Sequence, residues 1–354
     1  QLANGINRII APEVVLPGGD LTNGPTIGSG PWSMEEYKRE SIRFERNLAY
    51  YETGVSGLAG LEILAIPDSS TRIAAILTGR VDLTPLDVNA YSQLKGNSAS
   101  LTIQKFPEQG TGAVFVFNTV RAPFDQVDLR RAVLHGIDPW SAIDKVSYGI
   151  GDVSMGSPVL DLDWLLSKDH MKGYLGNQYE AKKLLLENGE STPIAFSLKV
   201  ADYGDIYLNL ADEYKEMLDG VGFSVDIETL NPRSYVEDLW QGGEFQAFFG
   251  PVPPVDNPNA YLFGLLHSEG RWNITGNVDV TLDELIEKQA ITQADRKEIV
   301  LDIQEHVMDQ ALMFMPVTGT RIWAWNGRVS GFHPNVVASE YYYWARLKDG
   351  GDFR

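Results

Sequence analysis

The stretch that decides the fold runs from residue 194 to residue 249, where short apolar strands alternate with amphipathic helices. In order, it reads IAFSLKV (194–200), IYLNLADEYKEMLDGV (206–221), FSVDIET (223–229), PRSYVEDLW (232–240) and FQAFF (245–249). Ile206, Leu210 and Tyr214 recur at the spacing of one helix face, whereas residues 223–229 alternate as a half-buried strand does. The order strand, helix, strand, helix, strand predicts a parallel sheet with right-handed crossovers.

The flanking sequence extends the same α/β pattern in both directions. Asp68 and Asp125 are predicted to cap helices, Asp138-Pro139 to start another, and Pro85 to open a helix at its first turn. The remaining predicted elements are a hairpin (32–37 and 41–45), strands at 61–66, 81–83, 101–106, 113–118, 313–317 and 321–325, and helices at 178–188, from 259, 282–289 and 294–308. Residues 149–176 are predicted to form a long irregular connection.

Charge and composition exclude several function classes. The 354 residues carry 48 acidic and 29 basic side chains, a net charge of −19, and this balance disfavours binding to nucleic acid. The absence of cysteine excludes disulfides, zinc–thiolate sites and thiol nucleophiles. The sequence opens at Gln1 with no signal peptide ahead of it, so a processed or cut chain is expected.

Signatures of catalysis, metals and cofactors are weak. The five histidines are scattered without metal-ligand spacing, and no nucleophile elbow occurs. Gly28-Ser29-Gly30 lacks the third glycine of a dinucleotide motif, and a tight turn is the simpler interpretation. Acidic pairs such as Asp161/Asp163 are expected by chance among so many acids. We therefore predict no catalytic residue, no metal and no cofactor.

Aromatic residues around a proline-rich loop are the strongest sign of a binding site. Pro251, Pro253, Pro254 and Pro258 force an extended loop directly after the strand that ends at Phe249. Loops at the carboxyl ends of strands in α/β sheets are where ligands usually bind. Core packing is the competing interpretation for each aromatic residue, because large rings serve both purposes.

Several motifs, in a shared order over most of the chain, resemble the family 5 extracellular solute-binding proteins, the oligopeptide- and dipeptide-binding group of ABC importers. Ile27–Trp32 resembles the family turn I-G-T-G-P-aromatic, and Phe44–Asn47 resembles its L-E-R-N strand end. Similar segments follow at 66–72 (I-P-D-x-x-T-R), 79–82 (G-E-I-D), 117–119 (F-N-T), 123–125 (P-F-D), 129–132 (V-R-x-A) and 181–185 (A-K-K-L-L).

The resemblance implies an α/β fold like that of periplasmic binding proteins, type II and cluster C-like, but incomplete. It implies that the N-terminal part of domain I and the whole of domain II are missing. Residues 1–125 would form part of domain I, residues 126–325 would form domain III, and residues 326–354 would return to domain I. The implied function is the extracytoplasmic solute-binding component of an ABC importer, in the periplasm or lipid-anchored on the cell surface.

The resemblance also implies partners and contacts. The partners would be a peptide or other small polar solute, the ABC transporter permease and the missing N-terminal part of the same protein. The predicted ligand contacts are Trp240, Phe249, Asp256, Asn257, Arg321 and Trp323, with Phe115 from the domain I side. A two-lobed clamp would close on the solute in an interlobe cleft. Asp256 would accept a hydrogen bond from an amine or hydroxyl, and Arg321 would meet an acidic group.

The sequence departs from the peptide-binding pattern in two places, and two other functions stay open. The family's G-W…Asp…Pro segment reads Gly250–Pro258 here, without the Trp and with Asp256 closer to the final Pro. Thr318, Gly319 and Thr320 replace the tyrosines expected after Pro316. An aromatic-lined site would also suit an oligosaccharide or another small polar solute. The alternatives are a ligand-sensing module of a regulator and a glycoside-active enzyme.

Overall fold

The computed structural model of the chain describes residues 28–52, 57–96, 101–154, 164–189, 192–252, 258–334 and 342–348. Its strands are β1 (Trp32–Tyr37), β2 (Ser41–Arg46), β3 (Gly60–Leu64), β4 (Leu83–Leu86), β5 (Leu101–Phe117), β6 (Ile194–Ala201), β7 (Phe223–Leu230), β8 (Ala247–Pro251), β9 (Met313–Asn326), β10 (Val329–Ser330) and β11 (Arg346–Leu347).

The helices of the described ranges lie mainly between these strands. They are Ser69–Leu77, Val88–Leu94, Val127–Gly136, Pro139–Ser147, Lys168–Met171, Gln178–Glu187, Asp205–Asp219, Pro232–Ser234, Pro258–Leu266, Val280–Ile291 and Arg296–Asp309, with a π-helical segment Tyr235–Gln241 and a 3-10 turn Tyr342–Trp344. Among the described residues, none of these helices has the length and apolar character needed to cross a membrane.

The chain divides into two compact units, with unit 1 formed by Gln1–Phe106 and Arg321–Arg354 and unit 2 formed by Pro107–Thr320. In unit 1, β1, β2 and β3 form an antiparallel sheet, and β4 pairs antiparallel with Ile322–Trp325 of β9. Strands β10 and β11 form a short antiparallel pair. The aromatic core of unit 1 contains Trp323, Trp325, Val329, Phe332 and Ala345.

Unit 2 contains the parallel strands that the sequence predicts. Strand β6 lies between β7 and β8 and pairs parallel with both, and β5 pairs antiparallel with β8. The strands are apolar because helices cover the sheet, as parallel sheets require. Leu198, Val200, Ala247, Phe248 and Phe249 are all completely buried.

Local capping chemistry confirms two predicted helix starts. The carboxylate of Asp68 accepts a hydrogen bond from the Thr71 backbone N–H at 2.7 Å, and the carboxylate of Asp138 accepts one from Ser141 at 3.1 Å. Both carboxylates satisfy backbone donors that the first helical turn leaves unpaired. The prediction for Asp125 was wrong by one position, because Gln126 occupies the N-cap and makes no side-chain cap bond.

Other boundaries differ from the predictions for identifiable reasons. Pro85 does not open a helix: it lies inside β4, and the next helix begins at Val88 with Asp87 as its cap. An edge strand tolerates proline because one side of its backbone needs no donor. The predicted strand pairs 101–106/113–118 and 313–317/321–325 are the continuous strands β5 and β9. The segment 232–240, predicted as one helix, becomes π-helical from Tyr235.

Candidate functional site

The carboxyl ends of the parallel strands of unit 2 carry a group of aromatic side chains, which we call the carboxyl-edge cluster: Tyr203, Tyr207, Tyr235 and Trp240. Tyr203 follows β6 directly, whereas Tyr235 and Trp240 belong to the π-helical segment after β7. The rings of Tyr203 and Tyr235 lie 5.7 Å apart in an edge-to-face arrangement, and those of Tyr235 and Trp240 lie 6.4 Å apart. Edge-to-face pairs of this kind fix the rings relative to one another.

Tyr235 is the fixed centre of this cluster. Its hydroxyl donates a hydrogen bond to the carbonyl oxygen of Pro251 at 2.8 Å, at the start of the proline-rich loop. A Cβ added at Gly250 would lie 2.7 Å from that hydroxyl, so only glycine leaves room for the ring at this point of β8. A π-helical turn re-aims side chains relative to an α-helix and is common at functional sites.

Exposure increases from the base of the cluster towards solvent. Tyr235 keeps 2% of its surface, whereas Tyr203 keeps 46%. Burial raises the pKa of the Tyr235 phenol far above its ordinary value, despite an opposing hydrogen bond with Trp240. The phenol therefore stays neutral at physiological pH and acts as a hydrogen-bond donor. The arrangement offers stacking surfaces and hydroxyl donors, the groups that fix small polar ligands.

Two further tyrosines lie beneath this edge with their hydroxyls fully enclosed. Tyr214 and Tyr261 are 0% and 2% exposed, and neither hydroxyl has a hydrogen-bond partner among the described residues. Burial alone raises the pKa of both phenols. The ring of Tyr214 packs edge-to-face on Phe249, 5.4 Å between centroids. An unpartnered buried hydroxyl costs about 1–3 kcal/mol, so these groups are an unusual feature of an otherwise well-packed core.

Three of the predicted ligand contacts lie in unit 2. Trp240 is half-buried and packs against Phe248 at 5.5 Å, at the predicted edge of the sheet. Phe115 and Phe249 are direct cross-strand partners in β5 and β8, and both are 0% exposed. The sequence places Phe115 on the domain I side, but it lies in unit 2, because β5 continues past Phe106 to pair with β8. Fully buried rings support the wall of a site rather than presenting surface to a solute.

The other predicted contacts lie elsewhere. Arg321 is partly buried in β9, and Trp323 is 7% exposed in the aromatic core of unit 1, 5.1 Å from Phe332. Both belong to unit 1. Asp256 and Asn257 lie outside the described residues. The role of all seven residues as ligand contacts stays a prediction.

Unit 1 holds a cavity of its own, about 750 Å³ in volume, which we call the unit 1 groove. Its walls are β3, the approach to β4 and the segment after β9, and Trp323 contributes to the lining. Charged side chains in the lining are Glu62, Arg72, Arg80, Asp82, Arg328 and Arg346. Four arginines against two carboxylates give the groove a formal charge of +2, in a chain whose total is −19.

Comparison with known proteins identifies the family. Residues 6–273 match the family model described as bacterial extracellular solute-binding proteins, family 5, middle. The chain belongs to this family. The resemblance found in the sequence is thereby confirmed at the level of the family.

Three curated relatives cover between 46% and 91% of this chain. A dipeptide-binding protein of Pseudomonas aeruginosa is 20% identical over 336 residues, which cover 91% of this chain and 61% of the relative. A dipeptide-binding protein of Escherichia coli is 25% identical, covering 80% of this chain and 54% of the relative. Heme-binding protein A of Haemophilus influenzae is 30% identical over 166 residues, 46% of this chain and 29% of the relative. The chain thus spans about three-fifths or less of these relatives.

Solved structures confirm the fold predicted from the sequence. The ABC transporter substrate-binding protein CtaP of Listeria monocytogenes superposes with a TM-score of 0.81 at 21% identity, covering 96% of this chain and 71% of CtaP. A dipeptide-binding protein of Pseudoalteromonas in complex with Met-Leu superposes with a TM-score of 0.72 at 24% identity, covering 91% of this chain and 64% of that protein. This chain therefore has the fold of family 5 binding proteins.

The sequence-based prediction did not include the most exposed residues at the carboxyl edge of the sheet. Asp202 and Tyr203 directly follow β6, and both are exposed. Asp202 extends the pairing by donating its N–H to the Leu230 carbonyl oxygen at 2.8 Å, so its side chain leaves the sheet at the carboxyl edge. The available signal was position: the residues immediately after a predicted parallel strand share one edge of the sheet. Tyr235 was missed because no sequence pattern announces a π-helical turn.

Proposed function

We propose that this protein is the extracytoplasmic solute-binding component of an ABC importer and captures a small polar solute, a short peptide being the first candidate. The observation that carries the proposal is the carboxyl-edge cluster: exposed Tyr203 beside a buried Tyr235 whose hydroxyl anchors the start of the proline-rich loop. Membership of family 5 supports it, because relatives named for dipeptides, heme and nickel share the family.

In this proposal the solute lies at the carboxyl edge of unit 2. Tyr203 and Trp240 stack on its apolar parts, and the carboxylates of Asp202 and Asp256 accept hydrogen bonds from an amine or hydroxyl. Phe115 and Phe249 support the site from behind, since both rings are fully buried. Asn257 of unit 2, and Arg321 and Trp323 of unit 1, stay predicted ligand contacts. No residue in this set is assigned a catalytic role, and the protein is proposed to bind without turnover.

The proposal includes the rest of the protein. Unit 1 would represent part of domain I and unit 2 would represent domain III, and a preceding part would supply the remainder of domain I and domain II. The support is length: alignments cover 96% of this chain but only 71% of CtaP. The proposed location is the periplasm or the outer cell surface, lipid-anchored in the latter case, and the proposed downstream partner is an ABC transporter permease.

Calorimetric titration with a panel of dipeptides and tripeptides, and with oligosaccharides as the comparison set, tests this function. Tyr203→Ala should weaken solute binding about tenfold or more, because it removes a stacking surface worth about 1–3 kcal/mol. Tyr179→Ala is the matched control, since Tyr179 is 77% exposed on a helix that lies outside the cluster. Loss of binding in both variants, or in neither, would contradict the assignment of the site.

A further inference from the structure

The segments that follow the parallel strands β6 and β7 make the carboxyl edge of unit 2 acidic. Asp202 and Asp205 follow β6, Glu237 and Asp238 lie in the π-helical segment after β7, and all four are exposed. Arg233 is the one basic residue of these two segments, which the structure describes in full. Four carboxylates against one guanidinium give the two segments a formal charge of −3. A surface of this charge attracts cations and repels anions.

Two basic side chains near this edge are already paired. The Arg233 Nε donates a hydrogen bond to Glu237 at 3.2 Å, and the Lys199 ammonium in β6 lies 3.9 Å from the Glu228 carboxylate in β7. Three carboxylates of the edge have no ion pair among the described residues: Asp202, Asp205 and Asp238. A cationic group on a solute would supply the partner that these carboxylates lack.

The rings of the carboxyl-edge cluster suit the same kind of ligand group. The planes of Tyr203 and Trp240 stand at 73° and 80° to the plane of the buried Tyr235 ring. Tyr203 keeps 46% of its surface and Trp240 is half-buried, so ring surface is exposed beside the carboxylates of Asp202 and Asp238 in the same segments. The face of an aromatic ring has a negative electrostatic potential and attracts ammonium and guanidinium groups.

A buried hydroxyl next to the cluster also lacks a partner. Tyr261 lies in the helix Pro258–Leu266 after the proline-rich loop, is 2% exposed, and makes no hydrogen bond through its hydroxyl to the described residues. It lies close enough to Tyr235 for a charge on its phenol to raise the pKa of Tyr235. A hydroxyl oxygen accepts hydrogen bonds, and an internal water or an N–H group of a ligand would satisfy it.

Helix N-termini at this edge would favour an anion if their N–H groups were unpaired. The local structure opposes this at both helices concerned. Asp205 lies in the first turn of the helix after β6. After β7, the Asn231 side chain accepts hydrogen bonds from the backbone N–H groups of Arg233 and Ser234, both at 3.0 Å. An anion would therefore meet a carboxylate at one N-terminus and satisfied donors at the other.

We propose that the solute bound at the carboxyl-edge cluster is cationic. Its ammonium or guanidinium group lies over the exposed ring surface of Tyr203 and Trp240 and pairs with the Asp202 carboxylate, while Asp205 and Asp238 add attraction at longer range. The inference rests on the proposed function for the existence of a solute, and it names the chemical class of that solute. Basic dipeptides and quaternary ammonium compounds share this chemistry.

Calorimetry on the full-length protein, with solute pairs that differ in charge but not in shape, tests the class. One pair is an arginine-containing dipeptide and its citrulline counterpart, and the other is choline and its neutral carbon isostere. In each pair that binds, the cationic member should bind at least about tenfold more tightly, because the neutral member loses the ring and carboxylate contributions together. Equal affinity within the pairs, or tighter binding of the neutral members, would overturn the proposal.

Paired substitutions locate the cationic group. Asp202→Asn should weaken binding of the arginine dipeptide about threefold and leave that of the citrulline dipeptide unchanged. Asp169→Asn removes the same charge from a side chain that is 95% exposed on the helix Lys168–Met171, outside the cluster, and should change neither affinity. Trp240→Leu keeps an apolar side chain and should narrow the difference between choline and its isostere. Equal losses in the two Asp variants would show that only the overall charge matters and would refute the assignment.

The outcomes separate this inference from the proposed function. Solutes that bind regardless of charge, and lose affinity in Tyr203→Ala, would refute the cationic class and leave the function standing. Preferential binding of a glutamate-containing dipeptide would do the same and would show that the helix N-termini outweigh the carboxylates. Absence of binding by every peptide, oligosaccharide and quaternary ammonium compound would overturn both proposals. Circular dichroism checks that each variant is folded.

Discussion

The cores of the two units differ in how completely they close. In unit 2, the rings of Phe115, Phe248, Phe249 and Phe314 are all 0% exposed. In unit 1, every member of the aromatic core keeps some surface, from 5% for Phe332 to 8% for Trp325 and Val329. The core of unit 2 surrounds a parallel sheet covered by helices, whereas the aromatic core of unit 1 borders the unit 1 groove.

The two units therefore present different kinds of surface. Unit 2 presents an exposed aromatic cluster on a buried base, and the proposed function places a small polar solute there. Unit 1 presents a groove lined by both apolar and charged side chains. Substitutions should therefore have different consequences in the two units, and the four predictions that follow run from the largest expected effect to the smallest.

Replacing an aromatic core residue by alanine should reduce stability most in unit 2. Phe249→Ala should lower the free energy of unfolding by about 3–5 kcal/mol, because it leaves a cavity in a closed core. Phe332→Ala should cost clearly less, because its surroundings already open onto the groove. Urea unfolding of the 354-residue chain measures both. Equal losses would show that the two cores are closed to the same degree.

Adding one methyl group at Gly250 should disturb the solute site through Tyr235. A Cβ there would lie 2.7 Å from the Tyr235 hydroxyl and 2.8 Å from the Ala201 side chain, so the ring must move. Gly250→Ala should reduce stability by about 1–3 kcal/mol and weaken solute binding. Gly96→Ala, where a Cβ would meet nothing within 4 Å, is the control in unit 1. Unchanged binding by Gly250→Ala would separate Tyr235 from the site.

Removing a helix cap should destabilise both units, but by different amounts. Asp138→Ala in unit 2 removes one cap bond and should cost about 1 kcal/mol. Asp87→Ala in unit 1 should cost more, because Asp87 accepts from the Ala90 backbone N–H at 2.8 Å and also from Ser69 and Arg72. Thermal unfolding compares the two variants. A larger loss for Asp138→Ala would show that the contacts of Asp87 with Ser69 and Arg72 contribute little.

The smallest expected effect is a pH dependence of folding stability that arises from His135 in unit 2. Burial lowers the pKa of His135, against an opposing influence of Glu180, so the folded protein resists protonation there. As pH falls below the unfolded pKa of about 6.5, the unfolded chain gains a proton first, and stability decreases until the lowered folded pKa is reached. His135→Gln should flatten the change in urea midpoint between about pH 7.5 and about pH 5. An unchanged slope in His135→Gln would show that burial of this imidazole contributes nothing to the pH dependence of stability.

Local chemistry made much of the fold predictable, and long-range packing limited the rest. The alternation from Ile194 to Phe249 predicts the parallel sheet because periodicity is a local signal. Pro85 misled because proline is acceptable both at the first turn of a helix and in an edge strand, and only the partner strand decides between them.

For the site, the predicted edge of the sheet contains an aromatic cluster, but aromatic composition does not distinguish a ligand contact from a core ring. Phe115 and Phe249 show this, since pairing of β5 with β8 buries both. Tyr203 and Tyr235 escaped prediction because their roles depend on where the chain leaves the sheet.

The enclosed phenols of unit 2 give the protein a built-in optical reporter. Since burial raises the pKa of Tyr214, Tyr235 and Tyr261, these phenols resist ionisation while the native packing holds. An alkaline ultraviolet titration follows the formation of tyrosinate directly. The enclosed rings should ionise together, in a single step that coincides with the loss of native structure. The height of that step would report whether unit 2 is folded in any variant, without an added dye.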